Sequence, residues 1–150
     1  MNHQDIDQDL PENFEELKAS AKRSSNWRER LHAAEALGQY DHPQITAILS
    51  RMMKHDLVYP VQEAAYLQLR AMGENVQAPS RNKPELFKGI SKIMLRIKKS
   101  LPKDHTYEQF KEKVQKMRID IYDAYEGEKG AYFDPWLEKL WNSLDTHKKQ

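Results

Sequence analysis

"NWRERLHAAEALGQY", residues 26–40, opens with a polar cap, a tryptophan and a run of charge, then turns small and apolar. "YPVQEAAYLQLRAM", residues 59–72, has the same character. At an offset of 32, Trp27 falls on Tyr59, Ala33 on Ala65 and Leu37 on Leu69. The match extends outward: Asp9 and Pro11 fall on Asp41 and Pro43, Leu17 on Leu49, and Lys22 on Lys54. Helix starts, core positions and corners coincide together. A period between roughly 20 and 50 residues marks stacked supersecondary units.

Each unit reads as a helix pair. Pro11 and Pro43 sit where a first-turn proline is tolerated, because the missing N–H would be unpaired anyway. Asp9 and Asp41 lie upstream, near the capping position. Beyond Pro43, Ile45, Ile48, Leu49, Met52 and Met53 recur at helical spacing. Phe14, Leu17 and Ala21 make a thinner stripe. Asn26, with Glu29 three residues on, approximates a capping box. Leu31, Ala34 and Leu37 lie along one side of the helix that follows. Pro60 opens a fourth helix, which carries Val61, Ala64, Ala65, Leu69 and Met72 and ends at Gly73, in the C′ position. The alanines let neighbouring helix axes approach closely, while Leu, Ile and Met fill the remaining space.

These residues resemble two consecutive HEAT-like repeats, of the short kind found in phycocyanobilin-lyase-type and many bacterial proteins. That pattern has a Val-Arg pair opening the first helix, an Ala-Ala pair within it, then Ala-Leu-Gly, a Leu-rich second helix and an Asp at the corner. Val61, Ala64, Ala65, Leu69 and Gly73 match in one unit, and Arg30, Ala33, Ala36, Leu37 and Gly38 in the other. Glu29 stands where Val is usual, and Asp56 takes the corner. The resemblance covers residues 11–73. It implies an all-α fold, a short HEAT-like α–α superhelix of about seven helices, and a non-catalytic scaffold role for a protein partner.

Past residue 73 the pattern departs. "GENVQAPSRNKPE", residues 73–85, is a polar loop too long for a repeat corner. Residues 86–101 make a further helix, expected to belong with the repeats, so that the repeat region runs over 1–103. Thr106 and Gln109 form a capping box for a helix reaching about Tyr125. "EGEKGAYFD", residues 126–134, reads as a loop, and Asp134 and Pro135 open a last helix. Residues 104–150 are expected to be a non-repeat, aromatic-rich helical cap packed on the repeats as one globular unit. Eight aromatics fall between residues 107 and 141, and Trp136, Leu137, Leu140, Trp141 and Leu144 recur at helical spacing, so the cluster reads as core.

Function is less legible. The 150 residues hold no cysteine, which excludes disulfides, a Cys nucleophile and thiolate metal sites. The six histidines make no HExxH and no metal spacing, and there is no glycine-rich phosphate loop. No catalytic residue, metal, cofactor or small-molecule substrate is expected. The first residues are acidic and resemble no signal peptide, and no apolar run reaches the roughly 20 residues that span a membrane. A cytoplasmic protein is expected.

Charge is uneven: residues 1–20 carry a net −5 and residues 81–103 a net +7. At about 100° per residue, Lys88, Lys92, Arg96, Lys99 and Lys103 share an arc of roughly 80° opposite the apolar stripe of their helix. This ridge is the first candidate for a partner, protein or nucleic acid; the plainer reading is a solvated face with acidic neighbours. Trp27, at a helix start, is the second candidate, lining a groove or stapling a corner. HEAT-like glycosylases that remove alkylated bases share this architecture and use a carboxylate with aromatics on a basic surface, but no motif of theirs matches here.

Overall fold

The repeated flanks bury one another. The computed structural model describes residues 10–81 and 85–144, and all regular structure among them is helical. Helices α1 (Phe14–Ala21), α2 (Trp27–Leu37), α3 (Pro43–His55) and α4 (Tyr59–Ala71) form the first unit. The pairs α1–α2 and α3–α4 each pack together, and α2 lies along α4. Repeat partners occupy equivalent places: Leu37 and Leu69 are 0 % and 1 % exposed, and Ala33 and Ala65 are both buried. Leu17 is half-buried where Leu49 is buried, because α1 stands at the end of the described stack.

The ends of these helices are fixed locally. Asn26 Oδ1 accepts from Glu29 N–H at 3.1 Å, and Ser20 Oγ donates to Glu29 Oε2 at 2.8 Å, tying α2 to the end of α1. His42, not Asp41, caps α3: its Nδ1 accepts from Gln44 N–H at 3.1 Å. Asp9 lies outside the described residues. Pro43 opens α3, whereas Pro11 precedes α1 by three residues. Gly73, at φ 90°, ends α4: its N–H donates to Arg70 O, and Glu74 N–H donates to Leu69 O, the two bonds of a Schellman turn. A Cβ at Gly38 would run into the Gln68 side chain, so glycine lets the end of α2 approach α4.

Arg30 and Asp56 bind the two repeats. Arg30 Nε donates to Asp56 Oδ2 at 2.8 Å and its Nη2 to Asp56 Oδ1 at 3.2 Å. Asp56 Oδ1 also accepts from Val58 N–H at 2.9 Å, where α4 begins. The corner aspartate of the repeat thus holds both a neighbouring helix and the next helix start.

The chain divides between residues 82 and 83, not after residue 103. Helix α5 (Ile90–Lys99) packs against α6 (Tyr107–Met117) and α8 (Phe133–Ser143) of the second unit, so it is no displaced repeat helix. The helix expected over 106–125 is two helices, α6 and α7 (Ile119–Lys129), broken at Arg118. The loop expected over 126–134 is helical to Lys129, continues through a 3₁₀ turn (Gly130–Tyr132), and α8 starts at Phe133. The Thr106–Gln109 capping box forms in both directions.

The aromatics build the second core. Phe110, Val114, Ile121 and Leu137 are fully buried beneath Ile90, Met94 and Ile97 of α5. Tyr125 stacks on Trp136 at 4.5 Å, and Tyr122 meets Phe133 edge-on at 5.1 Å. Trp141 Nε1 donates to His105 Nε2 at 2.9 Å. Lys98 Nζ donates to Trp141 O at 2.7 Å and Leu144 O at 2.6 Å, a cation on the carbonyl end of α8.

A second polar cluster crosses from α6 to α8. Tyr107 Oη donates to Asp134 Oδ1 at 2.8 Å, and Lys111 Nζ lies 2.7 Å from the same oxygen. Lys111 first, and Tyr107 next, hold the Asp134 carboxyl below the usual carboxylate range. Burial pushes the Tyr107 phenol up, and the bond to Asp134 pushes it further. A depressed carboxylate stabilises the fold above its unfolded pKa, about 4, and loses that contribution as pH falls through the folded value. Asp134→Asn should therefore melt below wild type at pH 7, and the gap should close below about pH 4. Melting temperature by circular dichroism across that range checks it; a gap independent of pH would contradict the assignment.

Candidate functional site

The ridge expected on one helix is spread over three elements. Lys92, Arg96 and Lys99 lie on α5, Lys88 in the turn before it and Lys103 in the turn after it. Gly89, in the left-handed region at φ 73°, starts the helix after Lys88, and Pro102 follows its end. All five side chains are exposed, and none is paired with a carboxylate among the described residues. Their neighbour Lys98 is different, being committed to the end of α8. Leu95 packs against the second core.

Trp27 belongs to the first unit, so it does not share an element or a core with the five cations. It is half-buried against the first core at the start of α2, with the Arg28 guanidinium 4.7 Å from its ring centroid.

A cleft that no sequence pattern announced lies elsewhere on the first unit. An open groove of about 610 Å³ is lined by Met53 and Lys54 from the end of α3, by Gln62 from the first turn of α4, and by residues 75–80. The Schellman turn at Gly73 sends the chain out of α4 into this strap, and Val76 pins the strap to the first core. Gln62 is 8 % exposed, and its Oε1 is buried with no hydrogen-bond partner. Buried polar atoms are nearly always paired, so this amide stands out. His42 Nε2 is likewise buried and unpaired, but its ring already has the task of capping α3. Only a contrast of this kind, a glutamine on the buried face of an amphipathic helix, could have marked Gln62 in the sequence.

Chemically, these surfaces offer hydrogen bonds, charge and apolar contact. Among the described residues no group of three or more His, Asp or Glu side chains could hold a metal, and no helix is long and apolar enough to cross a membrane.

The family model for HEAT repeats matches residues 14–80. No curated protein and no solved structure matches the chain.

Proposed function

We propose, from a chain whose residues 14–80 are HEAT repeats, that it is a non-catalytic cytoplasmic binding protein holding a protein partner on its first unit. HEAT units stack into extended surfaces that serve as scaffolds for partners. The observation that carries the reading is the groove beside Met53, Lys54 and Gln62, where polar and apolar groups converge on the repeat unit itself. Lys54 is exposed at its edge and makes a chemical reporter. The tagged full chain, purified from its own cells and treated with an amine-reactive cross-linker, should carry a stoichiometric protein joined through Lys54. No co-purifying protein, or cross-links confined to Lys92 and Lys99, would remove this reading.

A second reading rests on the ridge. Five exposed cations with no carboxylate paired to them among the described residues support phosphate contact with nucleic acid. Binding to a single-stranded DNA oligonucleotide should then weaken steeply with salt. Replacing Lys92, Arg96 and Lys99 by Ala should lower the log–log salt slope by about 2. No binding of the oligonucleotide at low salt, or an unchanged slope, would exclude it.

A further inference from the structure

We infer that the groove on the first unit takes an extended peptide segment of the partner, read through its main chain by the Gln62 carboxamide. The inference rests on the protein-binding reading above and specifies the partner's form. Two independent features point to it. Gln62 Oε1 is buried and unpartnered in a residue that lines the groove. Leaving such an oxygen unpaired disfavours the free protein, and a ligand that donates to it regains that loss on binding. A carboxamide offers an acceptor and two donors on a pivoting end, which is the complement of a peptide unit's N–H and C=O.

The second feature is the strap. From Asn75 to Pro79 the chain runs without turn or bend, and no backbone hydrogen bond ties these residues within the described structure. An unpaired run of main chain beside a groove is an edge on which another extended chain can lie, with main-chain bonds giving affinity and side-chain contacts giving selectivity. A helix satisfies its own backbone and would leave both the strap and Gln62 unpaired, so an extended occupant fits better. Met53 and Val76 favour an apolar side chain at the centre, and Lys54 favours an acidic one at the rim.

The test uses the full chain and a phage-displayed library of random twelve-residue peptides. Selection should enrich peptides that combine acidic and apolar residues. Gln62→Met should weaken synthetic versions of them tenfold or more while melting no lower than wild type, and Lys54→Glu should weaken the acidic ones several-fold. Should Gln62→Met disturb the fold, Gln62→Leu, which removes the carboxamide with an apolar side chain of similar size, replaces it. No enrichment, or peptides that bind the Gln62 variant as tightly as wild type, would overturn the inference. A partner cross-linked at Lys54 alongside peptides indifferent to Gln62 would retire this inference and leave protein binding standing. Peptides dependent on Gln62, with no cellular partner at Lys54, would remove the protein-binding reading and with it the claim that the groove holds a partner's segment.

Discussion

Asp56→Ala should cost the first unit about 3–5 kcal/mol, the expected penalty for stranding one half of a buried ion pair. The Asp56 and Arg30 side chains are 6 % and 12 % exposed, so water cannot stand in for the missing carboxylate. Arg30 would keep its bond from Nη1 to the neutral Arg23 O at 2.8 Å. Val58 N–H, at the start of α4, would lose its acceptor as well. For a unit of this size the loss corresponds to a fall in melting temperature of roughly 15 °C or more. The partners should also be strongly non-additive. Arg30→Met with Asp56→Leu removes both charges and should recover much of the loss, because the pair's net contribution is far smaller than the penalty for half of it. Arg30→Lys should not substitute, since an ammonium cannot make the two-point contact. Urea melts of the three variants decide the matter. A loss under about 1 kcal/mol for Asp56→Ala would mean that the corner is held by packing alone.

The same corner explains what was legible in the sequence. Stacked helices bury the same positions in each repeat, so Leu37 and Leu69, or Ala33 and Ala65, had to recur at a fixed offset. The asymmetry of Leu17 and Leu49 was not legible, because it depends on which helix stands at the end of the stack. Nor was the break at Arg118. Phe110, Val114, Arg118, Ile121 and Tyr125 keep helical spacing across it, with no proline or glycine to announce the change of direction. Helix α7 buries every residue from Ile121 to Tyr125, which a one-sided stripe does not anticipate. The division of the chain was written in "GENVQAPSRNKPE", but a polar loop reads equally well as an insertion within a repeat. His42 hides as a cap because imidazole nitrogens accept from backbone N–H groups less often than Asp or Asn oxygens do, and Asp41 stands beside it. The five cations were visible as a charge pattern. Gln62 was not, because an orphaned oxygen is a property of three-dimensional surroundings and leaves no mark in composition.

Phe110→Ala should be the most damaging change in the second unit, at about 3–5 kcal/mol. Phe110 is the largest of the fully buried side chains and sits on α6 among residues of α5, α7 and α8. Its ring lies 6.3 Å from that of Trp141, centroid to centroid. Trp141 in turn holds His105 through Nε1 and offers its carbonyl to Lys98. A cavity at position 110 therefore loosens the residue through which the end of α8 is tied to α5. A unit running from residue 83 to residue 150 has total stability on the order of 3–10 kcal/mol, so the loss is comparable with the whole. Phe110→Leu, which keeps most of the volume, should cost on the order of 1 kcal/mol. The readout is the near-ultraviolet dichroism and fluorescence of Trp136 and Trp141, which should lose their fixed environment in Phe110→Ala and keep it in Phe110→Leu. Equal behaviour of the two variants would mean that the core around Phe110 collapses to fill the gap, and that the tie between Trp141 and α5 does not depend on the ring beneath it.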